Sequence, residues 1–454
     1  MSSQVPSDPN PSSSKSKDKG HLLRILGVGF GLAVTIGGTI GMGILRTPGQ
    51  VAAQLPRPSL YLGIWVIAGI YSLLGALSVA ELGAMIPRSG GWYVFVHRAL
   101  GNYPAFVIGW SDWLSTCGTL ALIALVVAEY TAALFPALNG RDKGIAMVVV
   151  LAFALLQWRG IRWGSFTQNA TSALKTLIFV VLAIAAFTIA GKSDAGQTLP
   201  IKQGFAFFGA LIIAPQSVLY TYDGWYGVIY FGEEVRDPRR DVLRSIIGGT
   251  LLVIAIYLVV NLAYVHVLSM SQLAGEPLAA GAVARAIFGS HGDTTIRVLA
   301  ILWLLSTINA YTLTAPRILY AMSCDHLFHH RATIVNRGGT PTVTLLLSTL
   351  VALAFILSST FSVILAALAF FFVANYSMAY ISLFVMRRRE PDLPRPYRAW
   401  GYPWTTLLVL VGSLAFLCGA VIGDKRNSLW ALAILAVSIP LYLLIRVLRP
   451  RLHA

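Results

Sequence analysis

The sequence predicts an all-α integral membrane protein with twelve transmembrane helices, two of them discontinuous, and three observations support this fold class. The 454 residues are 56% hydrophobic and only 11% charged, whereas a soluble domain carries roughly 25% charged residues. Apolar stretches long enough to cross a bilayer recur along the chain. Lys and Arg cluster in the short connections between them, so the formal net charge of +16 indicates membrane topology rather than nucleic-acid binding.

Twelve apolar stretches are predicted to span the membrane, because a span needs about 20 apolar residues. They lie at 22–54, 59–86, 103–136, 144–158, 163–191, 205–233, 242–268, 295–323, 342–358, 361–386, 402–422 and 428–448. The even number places both termini on the same side of the membrane. Residues 271–292 are too polar to span, and 278–288 is predicted to form a helix over the outer face; a plain loop is the alternative.

The positions of the basic residues predict the orientation. One side of the predicted bundle carries 23 of the 34 Lys and Arg residues and the other side carries nine. Because cytoplasmic loops hold the excess of Lys and Arg, both termini are predicted to be cytoplasmic, in a multi-pass protein of the cell inner (plasma) membrane. Residues 1–20, rich in Ser, Pro and Lys, are predicted to form a disordered cytoplasmic tail rather than a signal peptide, and residues 449–454 a short second tail.

The first span contains four glycines within seven residues, at Gly37, Gly38, Gly41 and Gly43. Each costs about 1 kcal/mol relative to Ala in a helix, and unwound backbone is tolerated in a membrane only where protein or water satisfies it. The stretch therefore predicts a helix break whose free N–H and C=O groups line a binding site near the bilayer midplane. A glycine packing face between two helices is the alternative.

The sixth span is predicted to be interrupted as well, because Pro215 removes a backbone donor and the pair Asp223-Gly224 follows it. Gly41 and Asp223 lie 182 residues apart, each in the first helix of a five-helix block. Interrupted spans at corresponding positions of two halves are typical of inverted-repeat transporters. The predicted division is a first five-helix repeat at 21–191, an inverted second repeat at 205–388, and helices 11 and 12 at 400–448.

Lys175 is predicted to face the interior of the bundle. It lies about 12 residues into the fifth span, or roughly 18 Å deep, too far for its side chain to reach the interface. A charged lysine at the bilayer centre costs about 2.5–3.5 kcal/mol, so it needs acceptors; the carbonyls of the first break and the hydroxyls of Ser306 or Thr307 are the candidates. Two roles stay open: a fixed ammonium that clamps helices, and a proton carrier, since burial disfavours the charged form.

Asp223 also allows two interpretations. Its carboxylate could contact a substrate ammonium or a cationic side chain, or it could cap the second half of the sixth helix, which is the favoured interpretation. The remaining residues predict no enzyme, no metal and no cofactor. The eight His form no metal-ligand spacing, the three Cys form no CxxC pair, and neither a nucleophile motif nor a P-loop is present.

Several motifs together resemble one known family. They are residues 38–49 (GTIGMGILRTPG), 80–91 (AELGAMIPRSGG), 222–225 (YDGW) with 233–238 (EEVRDP), and Asn309 followed by Arg317. On these residues the chain resembles the amino acid–polyamine–organocation (APC) superfamily, most closely its bacterial L-amino acid transporter (LAT) branch, over nearly its whole length. The resemblance implies a LeuT-like five-plus-five inverted repeat with two extra helices.

The resemblance also implies how a substrate is held. Its α-carboxylate would meet the amides of the first break, where the N-terminus of the following half-helix attracts anions. Its α-ammonium would meet carbonyls of both breaks, and Tyr220 would be an aromatic gate. The implied substrate-binding residues are Ile40, Gly41, Met42, Gly43, Leu219, Tyr220, Thr221, Asp223 and Gly224.

Lys175 matches a lysine that stands in the place of a sodium ion in sodium-independent members, which implies sodium-independent transport, with Ser306 and Thr307 beside it. Two residues depart from the family pattern. Met42 stands where many members have a small Ser or Gly, and Trp92 replaces a common Glu. Residues 136–143 lack the cysteine that tethers animal relatives to a glycoprotein, so no covalently linked heavy chain is expected.

The leading hypothesis is a carrier for neutral L-amino acids that works by alternating access in the lipid bilayer. Exchange of amino acids and symport with a proton both stay open. The alternative within carriers is a transporter of cationic amino acids or polyamines with Asp223 as the counter-charge. From a different class, a passive channel or an amino acid sensor could use the same bundle.

Overall fold

Helices form the protein along almost the whole of the described chain. The computed structural model describes residues 21–188, 204–358, 361–423 and 425–452; the predicted tail at 1–20 lies outside them. The helices are α1 Val28–Thr39, α2 Gly43–Gln54, α3 Pro58–Met85, α4 Trp92–Leu100, α5 Asn102–Leu134, α6 Asp142–Trp158, α7 Ile161–Thr188, α8 Phe205–Thr221, α9 Pro238–Val267, α10 Met270–Leu273, α11 Ala279–Phe288, α12 Gly292–Cys324, α13 Thr342–Leu357, α14 Phe361–Arg389, α15 Trp404–Gly423 and α16 Lys425–Leu452.

Long apolar helices make this an all-helical membrane protein. Within the described residues, seven helices are long and apolar enough to cross a membrane, namely α3, α5, α7, α9, α12, α14 and α15. The bent pair α1 and α2 counts as an eighth if it is one span. Shorter apolar segments lie in α8, α13 and α16. The predicted fold class is therefore confirmed at this level, and the count of twelve spans stays a prediction.

The first span is interrupted where its glycines predict. α1 ends at Thr39, and α2 begins at Gly43 with its axis bent by 45° from that of α1. Between them Ile40 adopts a non-helical conformation with φ −79° and ψ 84°. A broken helix, rather than a continuous glycine packing face, is thus the correct interpretation.

The sixth span is interrupted too, but its second half differs from the prediction. α8 ends at Thr221, and Gly224 then has a φ of +107°, a left-handed conformation that side chains with a Cβ rarely adopt. The chain continues as a single 3₁₀ turn at Gly227–Tyr230 instead of an α-helix. We call residues 222–237 the post-break segment.

Two short helices lie outside the long bundle. The predicted helix over 278–288 is confirmed as α11, which packs against α2 and α12. α4 was not predicted; it is an amphipathic helix that packs against α5 and α14, with Trp92 fully buried. We call the end of the bundle where α1 begins and α12 ends the inner end.

Buried ion pairs hold the inner end together. The Glu234 carboxylate accepts hydrogen bonds from Arg317 at 2.5 and 2.7 Å, with both side chains at most 1% exposed. The Glu81 carboxylate, 0% exposed, pairs with Arg387 at 2.6 Å and Arg395 at 3.3 Å. These pairs tie the post-break segment to α12 and α3 to α14, so each joins parts of the chain that are distant in sequence.

Candidate functional site

A cavity of about 510 Å³ lies where the two interrupted spans meet. We call it the central cavity. Residues of α5, α12 and α14 complete its wall beside the two breaks. It is lined by Gly38, Thr39, Gly41, Met42, Gly43, Thr119, Leu122, Ile123, Tyr220, Thr221, Asp223, Thr307, Tyr311 and Phe372. Six of the nine predicted substrate-binding residues line this cavity, whereas Ile40, Leu219 and Gly224 do not. The structure adds residues from α5 and α14, which carried no sequence motif.

The first break presents main-chain groups to this cavity. Gly41, Met42 and Gly43 line it directly, and α2 begins at Gly43 without a side-chain cap. The first N–H groups of a helix have no partner within the helix, and their dipoles favour an anion. The start of α2 can therefore bind a carboxylate that enters the central cavity.

The Lys175 ammonium lies directly behind the first break. It donates hydrogen bonds to the Ile40 carbonyl at 2.6 Å, the Gly37 carbonyl at 3.2 Å and the Thr307 hydroxyl at 3.1 Å. Lys175 is 1% exposed. The contacts expected from the sequence are present, and the Ile40 carbonyl, which was expected to meet a substrate ammonium, already accepts from Lys175.

Ser306 does not share this role. Its hydroxyl lies 3.2 Å from that of Ser172, which in turn donates to the Ala33 carbonyl at 2.7 Å. Thr307, the next residue along α12, is the one that both contacts Lys175 and lines the central cavity. Of the two predicted hydroxyls, Thr307 is thus the one in position.

One phenol joins the two breaks. The Tyr257 hydroxyl of α9 lies 2.9 Å from the Thr39 carbonyl at the end of α1 and 3.0 Å from the Thr221 carbonyl at the end of α8. Gly224 packs on Gly38 so closely that a Cβ on Gly224 would lie 2.7 Å from the Gly38 carbonyl carbon. The role of Tyr257 could not be predicted from the sequence, because a tyrosine in an apolar span carries no motif.

Asp223 does not cap a helix, so the favoured interpretation from the sequence is wrong. No α-helix follows it, and the 3₁₀ turn begins after Tyr226 without a side-chain cap. Its Oδ2 accepts from the Tyr226 hydroxyl at 3.3 Å, while Oδ1 is buried without a hydrogen-bond partner among the described residues. Asp223 is one of the residues that line the central cavity.

A second cavity of about 540 Å³, the side cavity, adjoins the central one. Tyr220, Asp223 and Phe372 line both cavities. Leu219 lines the side cavity but not the central one. Tyr376 of α14 borders the side cavity, with its ring 5.4 Å from that of Trp92. Trp92, one of the two residues that depart from the family pattern, therefore packs against a tyrosine in the wall of this cavity.

Sequence reasoning missed polar groups on α5. Thr119 lines the central cavity, and its hydroxyl, like that of Thr39, is buried without a partner among the described residues. Asp112 lies further toward the inner end of α5 and is 0% exposed. The rule that flagged Lys175, an ionisable residue inside a span, applies equally to Asp112 and would have found it. Thr119 has no comparable signal.

Metal ligands are not grouped in the described part of the chain: no three or more His, Cys, Asp or Glu side chains come together there. An interrupted membrane helix whose main-chain groups border a cavity is the architecture of a membrane transporter. The described spans and this cavity define that class of protein.

The comparison with protein families gives the more specific identification. The family model described as "Amino acid permease" matches residues 31–445, so the chain belongs to the amino acid permease family. The resemblance to the APC superfamily inferred from the motifs is confirmed. The family and the apolar helices together indicate a multi-pass membrane protein that acts on small amino acid substrates.

Named relatives cover most of the chain. The serine/threonine exchanger SteT of Bacillus subtilis is 28% identical over 94% of this chain and 98% of its own length. The b(0,+)-type amino acid transporter 1 of Mus musculus is 27% identical over 89% of this chain and 84% of its own. The mouse large neutral amino acids transporter small subunit 2 is 28% identical over 96% and 84%.

Proposed function

We propose that the protein is a sodium-independent carrier of neutral L-amino acids that works by alternating access. The single observation that supports this most is the uncapped start of α2, where Met42 and Gly43 line the central cavity. A zwitterion can place its carboxylate there. Its ammonium can meet the unpartnered Thr39 and Thr119 hydroxyls and the free oxygen of Asp223.

Sodium independence is proposed from the position of Lys175. Its ammonium holds the carbonyls of Gly37 and Ile40 and the Thr307 hydroxyl, a set of oxygens of the kind that coordinates a hard cation. With a fixed positive charge already there, a sodium ion has no room and no electrostatic reason to bind. The named relatives include a serine/threonine exchanger and a neutral amino acid transporter, which supports a small zwitterionic substrate.

The proposed topology follows from the same family membership. It has twelve spans with both termini in the cytoplasm of a cell whose plasma membrane holds the protein. Residues 21–191 and 205–388 are the proposed inverted repeats, followed by two further helices at 400–448. We propose that it acts without a covalently linked heavy chain.

A second candidate substrate class has an observation of its own. Asp223, whose Oδ1 has no hydrogen-bond partner among the described residues, lines both cavities, and Tyr220, Trp225 and Tyr376 line the side cavity. A carboxylate beside aromatic faces favours a cationic group. A cationic amino acid or polyamine could therefore place its side-chain charge between them.

Substrate uptake by the purified protein in liposomes tests the proposed function. Internal amino acid is varied, and leucine, alanine and serine compete against lysine, arginine and putrescine. Saturable uptake stimulated by internal amino acid and inhibited by the neutral set is the expected result. Inhibition by the cationic set alone selects the second candidate, and uptake that neither saturates nor responds to internal amino acid indicates a channel.

The variant Gly41→Ala tests whether the substrate binds at the first break. A Cβ at Gly41 would have no heavy atom of the described residues within 4 Å, so the methyl group enters the central cavity without straining the fold. We expect uptake at low substrate to fall about tenfold, since a misplaced methyl group costs about 1–3 kcal/mol in a fitted site. Gly29→Ala, in α1 and equally unobstructed, is the control. Equal uptake by both variants would contradict a substrate at the first break.

A further inference from the structure

Asp112 places a carboxylate deep in the bundle without a cation to neutralise it. Both of its oxygens accept from the Tyr230 hydroxyl, at 3.0 Å each, and Oδ1 lies 3.5 Å from the Asn375 amide nitrogen. Among the described residues no Lys, Arg or His forms an ion pair with it. An unpaired buried carboxylate is costly inside a membrane, so it must either bind a proton or be accompanied by a mobile cation.

The titratable groups that face Asp112 do not supply a positive charge. Tyr230, Tyr226 and Asp223 face it from the post-break segment, and Tyr311 faces it from α12. They are phenols and a second carboxylate, and α14 contributes the neutral amide of Asn375.

The basic groups on neighbouring helices have other partners. On α4, His97 lies 3.5 Å from an oxygen of Asp325, whose carboxylate also pairs with Arg88. On α12, Arg317 pairs with Glu234. The charge of Asp112 can therefore be neutralised only by a proton or a mobile cation that reaches it.

A path of cavities leads toward Asp112 from the central cavity. The inner cavity, about 330 Å³, is lined by Tyr230 and Thr116 and shares Gly38 and Tyr311 with the central cavity. Asp112 itself does not line the inner cavity; Thr116, one helical turn further along α5, does. Tyr230 lines the inner cavity, and its hydroxyl donates to the Asp112 carboxylate.

We propose that Asp112 binds the proton that moves with the substrate, and that the Tyr230 hydroxyl delivers it from the inner cavity. In this step a water-borne proton adds to the Tyr230 oxygen while the proton of Tyr230 passes to Asp112. The phenol is regenerated and the carboxylate becomes a neutral acid, so charge and atoms balance. The proposal rests on the proposed carrier function and answers which residue couples transport to protons.

The position of Tyr230 links this proton to movement. Tyr230 ends the 3₁₀ turn of the post-break segment, and that turn packs against α1. A hydrogen bond to a charged carboxylate is roughly twice as strong as one between neutral groups. Protonation of Asp112 therefore weakens the attachment of the post-break segment to α5, which favours opening of the inner end once substrate is bound.

Lys175 is less suited to carry the proton. Two of its three acceptors are backbone carbonyls of the first break, and the third is the Thr307 hydroxyl. Within the described residues, none of the three groups that accept its hydrogen bonds is ionisable. We therefore assign Lys175 the fixed role and Asp112 the titrating one.

Liposomes with the membrane potential clamped test this assignment. The outside is made more acidic by about 1 pH unit, which supports about tenfold accumulation for one proton per substrate, and a trapped dye reports internal acidification. Amino acid counterflow in the same liposomes needs no net proton movement.

We expect wild-type protein to accumulate substrate and acidify the interior. We expect Asp112→Asn to lose both responses while its counterflow persists. Tyr230→Phe should slow both responses.

The matched control is Asp392→Asn, which removes an exposed carboxylate from the connection before α15. This variant should behave as wild type. Accumulation by Asp112→Asn that still follows the gradient would overturn the proposal. If that variant does not fold, Tyr230→Phe decides, and a response equal to wild type overturns it. Wild-type counterflow without any gradient response also overturns it but leaves the carrier function standing, whereas no counterflow for any amino acid contradicts the carrier function itself.

Discussion

The inner end and the centre of the bundle bury charge in different ways. At the inner end, Glu234 faces Arg317 and Glu81 faces two guanidinium groups, so each carboxylate is neutralised within the protein. At the centre, Lys175 and Asp112 each lie without an opposite charge among their described contacts. A neutralised pair needs nothing from outside, so it holds helices in place. A single buried charge needs an ion, a proton or a substrate, and it therefore indicates function.

The two single charges also differ from each other. Backbone carbonyls and a hydroxyl hold the Lys175 ammonium, and they belong to the break itself. A phenol on the post-break segment holds the Asp112 carboxylate. The first arrangement fixes a charge beside the substrate, and the second can respond when the segment moves.

The largest expected effect is on stability at the inner end. Arg317→Met leaves the fully buried Glu234 carboxylate uncompensated, which costs about 3–5 kcal/mol. The midpoint of thermal unfolding in detergent should fall more than for any other variant described. Adding Glu234→Gln should restore part of the loss, because a neutral pair needs no counter-charge. If the unfolding midpoint of Arg317→Met equals that of wild type, the ion pairs of the inner end do not stabilise the fold, and the contrast with the centre of the bundle fails.

Lys175→Ala should show the reverse pattern, with transport affected more than folding. The break carbonyls lose their common donor, and each unsatisfied buried group costs about 1–3 kcal/mol. We expect the initial uptake rate to fall at least about tenfold, with a smaller change in unfolding midpoint than Arg317→Met gives. Lys143→Ala is the control, since Lys143 also donates to a backbone carbonyl, at the exposed outer end. Wild-type uptake by Lys175→Ala would end the special role of this residue.

The smallest effect should come from Thr119→Val. The Thr119 hydroxyl has no partner among the described residues, so its loss should not alter the unfolding midpoint. If it binds substrate, KM should rise about threefold to tenfold, in line with a net hydrogen bond of about 0.5–1.5 kcal/mol. Thr131→Val, whose hydroxyl bonds within α5, provides the comparison. A KM equal to wild type would show that the substrate does not reach α5.

Sequence reasoning located best the residues that are unfavourable in a membrane span by themselves. Glycines in a membrane span and a lysine far from the interface both demand an explanation, so the first break and the surroundings of Lys175 could be predicted. Asp223 was misassigned because a capping role assumes a helix after it, and the aromatic post-break segment forms only a 3₁₀ turn.

The rest of the site could not be predicted because it depends on packing between distant helices. Thr119, Tyr311 and Phe372 reach the central cavity from three helices, and nothing in their local sequence distinguishes them from ordinary apolar-span residues. The pairing of Glu81 with Arg387 similarly joins residues 306 positions apart. Only the three-dimensional arrangement shows such contacts.

The Tyr257 phenol sets a mechanical condition on the transport cycle. One hydroxyl lies within hydrogen-bond distance of the last carbonyl of α1 and the last carbonyl of α8, so separating the two broken spans at this point breaks at least one of these contacts. In the proposed alternating-access cycle, the two half-helices and α9 are therefore expected to move together.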